Sequence, residues 1–298
     1  AKTHENISEK RFLTAEGAKI LAIDDNDMNL KVISGLLKRN KIFPDLADSG
    51  QQGIEMVKSN FYHIIFLDNM MPVMNGVETL KKMQREKLLS GKTKVIMLTA
   101  SAIAGMREIY LREGFDDYLS KPIDVSELEK MLAKYLPPEI IKYEEEDTPQ
   151  AVEVEKTAEK IESAESAEEI QTDSDTFSEK EKKHFAEACP DINLETGLKY
   201  CMDSKSFMIQ MLTTFTDAKK ADKIEEKFGA NDWKGYQILV HALKSTSLSI
   251  GAENLSEAAK RLEMAAKNGE TEEILKNHAA LMENYSKVRA EIGEWLKE

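Results

Sequence analysis

One tract decides how this chain can be divided. Residues 139–178 (EIIKYEEEDTPQAVEVEKTAEKIESAESAEEIQTDSDTFS) hold fourteen acids against three lysines and only two aromatic residues. Such a segment repels itself and lacks the apolar surface needed to offset the entropy of ordering. It reads as an acidic, flexible, disordered linker, placed at 138–178. A transient helix between Val152 and Ile170 has no apolar stripe wide enough to hold it. With that excess of eleven acids, the tract accounts for nearly all of the net charge of −13. The flanking regions are close to neutral, and no dense basic stripe remains for a nucleic-acid backbone.

The 298 residues suit two domains, one on each side of the linker. A hydrophobic fraction of 41% supports two cores, while 32% charged residues exclude a membrane-embedded body. No run approaches the roughly 18 apolar residues of a spanning helix, and residues 1–16 lack the apolar centre of a signal peptide. A cytoplasmic location without direct membrane contact is therefore expected, for this chain or for the cytoplasmic part of a membrane-bound parent. Cys189 and Cys201 are too few for a disulfide framework or a four-cysteine zinc site and are expected to be half-buried.

Residues 1–17 read as a tail and 18–137 as an α/β domain. The short apolar runs KILAI (19–23), HIIFL (63–67) and KVIML (94–98) are buried strands, with weaker ones at 43–47 and 118–119. Amphipathic stretches at 28–39, 53–58, 77–86, 102–112 and 125–135 fill the gaps. The alternation predicts a flavodoxin-like, doubly wound, five-stranded parallel sheet of order 2-1-3-4-5. Residues 179–298 show no strand alternation. Helical patterns near 179–188, 204–227, 232–249, 253–267 and 271–296 predict an all-α four-helix bundle.

In doubly wound sheets, ligands bind at the carboxyl ends of the strands. Asp24 and Asp25 follow the first strand, Asp68 ends the third, Thr99 the fourth, and Lys121 follows the fifth. Clustered carboxylates need a cation, and hard oxygen donors favour Mg²⁺. A hydroxyl and an ammonium opposite them suit phosphoryl oxygens, so the set fits a covalent aspartyl-phosphate site. Single aspartates at strand ends are usually helix caps; four strand ends carrying acid, acid, hydroxyl and ammonium are not. Met70, Met71 and Met74 read as packing.

The segments ILAIDDNDMN, LDNMMPVMNG, LTA and DDYLSKP resemble, in order and spacing, the receiver domain of two-component response regulators. The resemblance implies that Asp68 is the phosphoacceptor and that Asp24, Asp25 and Asp68, with the backbone carbonyl of Met70, hold Mg²⁺. It also implies that Thr99 and Lys121 contact the phosphoryl group, that Thr99 and Tyr118 act as the switch, and that the Lys121–Pro122 bond is cis. Asn75 stands where the family usually has Asp before Gly76, and both residues tolerate the turn.

In GYQILVHALKSTSLSIGA, Tyr236, Leu239, Val240, Leu243, Ser247 and Ile250 share one helical face. His241 points away from that face and is expected to be exposed, among Gln237, Ile238, Lys244, Ser245 and Leu248, which form a docking patch. Ser245 is small enough to leave room for a phosphoryl group, and Lys244 offsets its charge. The run HALKS followed by Ile250–Gly251 resembles the histidine phosphotransfer (HPt) motif H-x-L-K-G, with Ser245 in place of the glycine. The resemblance implies that His241 is the phosphohistidine. His4, His63, His184 and His278 have no partners at metal-ligand spacing and read as structural or solvated.

The expected function is phosphorelay signalling, with a histidine kinase or its dimerisation domain and further receiver or HPt domains as partners. No G-x-G pair or Walker loop is present, so no phosphate-cradling backbone for ATP is expected in this chain. A linker of 40 residues spans on the order of 35 Å, enough for Asp68 and His241 to meet within one molecule. Three alternatives compete. The chain is the C-terminal fragment of a larger hybrid sensor histidine kinase, a protein-interaction module that carries no phosphate, or a phosphatase with an aspartyl nucleophile. The last would want a carboxylate two residues after Asp68, where Met70 stands.

Overall fold

The computed structural model describes residues 11–99, 106–145 and 175–297. In chain order the first domain has β1 (Arg11–Thr14), β2 (Ile20–Ile23), α1 (Asp27–Arg39), β3 (Asp45–Ala47), α2 (Gly50–Ser59), β4 (Ile64–Asp68), α3 (Gly76–Arg85), β5 (Lys94–Thr99), α4 (Met106–Glu113), β6 (Asp117–Ser120), α5 (Val125–Tyr135) and β7 (Lys142–Glu145). The second has α6 (Glu179–Ala188), α7 (Leu194–Tyr200), α8 (Lys205–Phe215), α9 (Ala218–Gly229), α10 (Trp233–Ser249), α11 (Glu253–Asn268) and α12 (Thr271–Trp295).

Five strands form a parallel sheet in the order β3-β2-β4-β5-β6, the doubly wound order expected. Successive strand residues point to opposite faces, so one strand feeds two cores. Ile20, Ala22, Ile64, Phe66, Ile96 and Leu98 meet α1 and α5. Leu21, Ile23, Ile65, Leu67, Val95 and Met97 meet α2, α3 and α4. β4 is buried along its whole length, the pattern of a strand covered on both sides. The loops at the strand ends are fixed by caps: Asn26 accepts from the Met28 amide, Asn75 and Glu78 form a capping box, and Asp124 caps α5.

A two-stranded antiparallel ribbon lies outside this sheet. β1 pairs with β7, Thr14 opposite Lys142 and Phe12 opposite Glu144, where the sequence suggested a tail and the start of a linker. The ribbon is tied down by buried Leu13 and by Asn40 Nδ2, which donates to the Leu13 carbonyl at 2.7 Å. Lys41 bonds Glu144 at 2.7 Å. The greater part of the expected linker, 146–174, lies outside the described residues, and so does the transient helix at 152–170.

In the helical domain, α10 packs on α9 and α11, and α12 packs on α6, α8 and α11. The single helix expected over 204–227 is two, because the chain breaks at Thr216 and Asp217 caps the start of α9. A short helix, α7, occupies 194–200, which the sequence pattern missed. Gly251, after α10, has φ +82°, and a Cβ there would lie 2.0 Å from the Asn193 carbonyl oxygen, so only glycine lets α10 end against the start of α7. Both cysteines are fully buried, deeper than expected. Among the described residues, no helix is long and apolar enough to cross a membrane.

Candidate functional site

The acidic end of the sheet is built from three strand ends. Asp24 is buried and its Oδ1 accepts from the Asn26 amide at 2.9 Å and from Asn29 Nδ2 at 3.0 Å. Asp68 is buried at the end of β4; the Met70 amide donates to its Oδ2 at 3.1 Å and Lys121 Nζ to its Oδ1 at 2.6 Å. Lys121 also donates to Asp24 Oδ2 at 2.5 Å. The Lys121–Pro122 peptide is cis. Gly76 closes the site from below, since a Cβ there would lie 2.3 Å from the Asp68 carbonyl oxygen.

Asp24, Asp25 and Asp68 each offer a carboxylate oxygen, all within 4.8 Å of one another. Burial pushes the Asp25 carboxyl up to about 6, and Asp24 adds to the rise. Burial likewise raises Asp68 to about 6; Lys121 opposes this and Asp24 reinforces it. Burial acts to lower the Lys121 ammonium, but Asp24 and Asp68 more than reverse it and hold the lysine protonated. Three carboxylates thus share one buried cation and remain short of positive charge. Hard oxygen donors in that condition fit a divalent cation such as Mg²⁺. Thr99, at the end of β5, is buried with its hydroxyl 3.0 Å from that of Tyr110, whose ring lies 6.1 Å from that of half-buried Tyr118.

His241 sits in the middle of α10. Its Nδ1 lies 2.7 Å from Glu263 Oε1 on α11, and the other oxygen of Glu263 accepts from Lys244. Burial alone would raise the Glu263 carboxyl, but His241 and Lys244 bring it down to about 2, so it is an ionised acceptor. Glu263 thus holds a hydrogen on Nδ1, and Nε2 is the ring nitrogen it does not engage. Nε2 is buried without a hydrogen-bond partner among the described residues. His241, Gln237, Ile238 and Glu263 line from the helices a cleft of about 520 Å³ that Asp68, Met70 and Thr99 line from the sheet. A buried nitrogen nucleophile and a buried carboxylate face one space.

Residues 20–133 match the response regulator receiver domain family and residues 210–291 match the Hpt domain family. The chain joins a receiver domain to an Hpt domain. These are the two domain types of phosphorelay signalling. Over 121 residues, 40% of this chain, it is 37% identical to the signal transduction histidine-protein kinase BarA of Escherichia coli. Over 131 residues, 43% of this chain, it is 32% identical to hybrid signal transduction histidine kinase G of Dictyostelium discoideum. It spans only 13% and 4% of those two proteins. A solved structure of the receiver domain of a sensor histidine kinase from Pseudomonas aeruginosa, with a magnesium ion coordinated in its active site cleft, is 30% identical. That match covers 40% of this chain and 97% of that one, at a TM-score of 0.36.

The receiver gathers Asp24, Asp25 and Asp68 within 4.8 Å of one another, bonds Lys121 to Asp24 and Asp68, and places Thr99 in the lining of the same cleft as Asp68. His241 is the point of correction: it is 6% exposed, not solvent-facing as expected. The helical wheel turned it away from Tyr236 and Val240, but Glu263 of α11 packs against its ring and the receiver lines the cleft on which this face lies. The same holds for Ser245, which is buried and lines a small gap with Asn29, Lys121 and Pro122 of the receiver. Lys244 is engaged with Glu263, and Leu248 is half-buried.

Sequence reasoning missed Glu263, which approaches His241 from the next helix and carries no local signal. It also missed Asn29, one turn into α1, whose position five residues after Asp24 was a usable sign, and Tyr110 beside Thr99. His63 accepts from the Lys19 amide, and buried His278 sits between Tyr236 and Glu225, both structural settings.

Proposed function

We propose that this chain carries a phosphoryl group on Asp68 and on His241 and moves it between them. The observation that carries this reading is that His241, whose Nε2 has no hydrogen-bond partner among the described residues, lines the same cleft as Asp68. In the forward step an oxygen of Asp68 attacks the phosphorus of a donor phosphohistidine; the donor N–P bond breaks and an acyl phosphate forms. In the second step the Nε2 lone pair attacks that phosphorus. The Oδ–P bond breaks, the Nε2–P bond forms, and Asp68 returns to a carboxylate. The imidazole ring gains positive charge as it does so, and the Glu263 carboxylate at its Nδ1–H stabilises that charge.

Lys121 stays paired with Asp68 and offers its ammonium to the phosphoryl oxygens, and the Thr99 hydroxyl is placed to do the same. Thr99 and Tyr118 are the proposed switch pair. Mg²⁺ held by Asp24, Asp25, Asp68 and the Met70 carbonyl would neutralise phosphoryl charge during transfer. The first donor is proposed to be a histidine kinase or its dimerisation domain, in the cytoplasm, within a larger hybrid kinase. The kinases among the relatives support this. Other receivers and HPt domains are proposed as further partners.

The test is labelling with acetyl phosphate and Mg²⁺, comparing wild type, Asp68→Ala and His241→Ala by intact mass and by the acid lability of the adduct. Label on both residues in the wild type, lost from both in Asp68→Ala, supports the relay. Absence of any label with Mg²⁺ present overturns it in favour of a protein-interaction module that carries no phosphate.

A further inference from the structure

We infer that the receiver partner of His241 is the receiver of its own chain, and that a ring-in-notch contact between Phe207 and Gly35 sets the register in which the two domains meet. The inference deepens the phosphotransfer reading by naming the partner.

Gly35 lies inside α1, where glycine weakens a helix relative to alanine. The receiver's own packing gives no reason for it. A Cβ at this position would meet the Phe207 ring of the HPt domain at 2.8, 3.1 and 3.3 Å, and these three ring atoms are its nearest neighbours. The space left by the missing side chain is occupied by the other domain.

Two further bridges lie on the same stripe of α1. Lys31 Nζ donates to Thr214 Oγ1 at 2.9 Å, and Lys220 Nζ donates to Asn26 Oδ1 at 3.0 Å and pairs with Asp27 Oδ1 at 2.9 Å. Asp27, Lys31 and Gly35 are spaced by four and so share one face of the helix. Their partners run the opposite way: 220, 214, 207. Phe207 and Thr214, seven apart on α8, also share a face. The partners, two on α8 and one on α9, run antiparallel to α1 and give each of its first three turns a designated contact. A slip by one turn would move the HPt domain by about 5.4 Å, and reacting atoms must come to about 3 Å of one another.

The tether favours the same chain. On leaving the receiver, the chain passes through β7, whose Glu144 is bound by Lys41 just beyond the C-terminal end of α1. On arriving at the HPt domain, it is fastened to the start of α8. The Lys205 amide donates to the Asp175 carbonyl at 2.9 Å, and Asp175 Oδ1 accepts from the Ser206 amide at 2.7 Å. Phe207 is the next residue and lies against Gly35, one turn before the end of α1. Both ends of the tether therefore attach beside the notch.

The experiment uses the full chain. Asp68 is charged with acetyl phosphate, and the appearance of acid-labile label on His241 is followed while protein concentration is varied a hundredfold. The expected rate constant does not change with concentration, and a mixture of His241→Ala chains with Asp68→Ala chains transfers at least tenfold more slowly. Gly35→Leu and Phe207→Ala are each expected to slow transfer to His241 at least tenfold while Asp68 charges at the wild-type rate, and combining them restores part of the transfer. Hydrogen exchange gives a readout that needs no phosphate: both single variants should speed exchange in 26–39 and 205–215. A rate proportional to concentration overturns the inference while leaving the relay itself intact. Unchanged exchange in both variants overturns it whether or not Asp68 takes label.

Discussion

Glu263 holds His241 by its Nδ1 at 2.7 Å and is itself held by Lys244, so the orientation of the proposed nucleophile is set from a neighbouring helix. A hydrogen bond to a charged group contributes about 2 kcal/mol. Glu263→Ala is therefore expected to slow transfer onto His241 about thirtyfold with little change in the charging of Asp68. Glu263→Gln keeps an acceptor for Nδ1–H but not the charge that stabilises the developing imidazolium, and should fall between the two. Single-turnover transfer rates from charged Asp68 decide it; equal rates in all three proteins would exclude a positioning role.

The same carboxylate makes a pH prediction. Its folded value of about 2 lies below the ordinary glutamate value of 4.5. A group depressed on folding contributes stability that is complete above the unfolded value and is lost as pH falls toward the folded one. The stability difference between wild type and Glu263→Ala should thus shrink as the pH falls from about 4.5 to 2. Both tryptophans, Trp233 and Trp295, belong to the helical domain, so intrinsic tryptophan fluorescence during urea unfolding reads that domain alone. A difference that grows as the pH is lowered through this window would contradict the assignment.

Lys121 is the only cation paired with Asp24 and Asp68 among the described residues, and its side chain is 5% exposed. Removing one partner of a buried ion pair costs on the order of 3 kcal/mol. Lys121→Met should lower the thermal midpoint in EDTA and recover more of it on adding Mg²⁺ than wild type does, because the cation then meets an uncompensated acidic trio. Melting curves by far-ultraviolet circular dichroism with and without Mg²⁺ test both parts. An identical Mg²⁺ response in the two proteins would refute the proposed ligand set.

Much of this was legible in the chain because it lies in local pattern. The apolar pentads at 19–23, 63–67 and 94–98 announce strands buried on both faces, and the aspartates that follow the first two and the threonine that follows the third stand at strand ends by position alone. What was not legible comes from elements far apart. Glu263 reaches His241 across 22 residues of sequence, and nothing in EAAKRLEMA marks one glutamate among several. The ribbon strands RFLT and KYEE are too short and polar to show a period of two. A helical wheel places His241 relative to the other residues of α10, yet its surroundings are set by Glu263 of α11 and by the receiver residues that line the same cleft. The break at Thr216–Asp217 was visible as a capping aspartate, but it sits inside a stretch whose composition favours helix on both sides.

Gly76 separates the chemistry of the receiver from the stability of the HPt domain. It begins α3 directly beneath Asp68, and a Cβ at this position would lie 2.3 Å from the Asp68 carbonyl oxygen and 3.1 Å from Asn69 Cα. Both are backbone atoms, so the clash cannot be relieved by turning a side chain; the β4–α3 loop has to move. That loop also presents the Met70 amide to Asp68 Oδ2. Gly76→Ala should displace the carboxylate from Lys121 and reduce the rate at which Asp68 takes label from acetyl phosphate by at least tenfold, since misplacement of about 1 Å can cost a hundredfold. The three atoms nearest such a Cβ all belong to Asp68 and Asn69, so the tryptophan-detected unfolding midpoint of the helical domain should match wild type. Normal labelling of Asp68 in Gly76→Ala would mean that the loop yields without disturbing the carboxylate, and that the position of Asp68 is held by Lys121 and the β4 backbone alone.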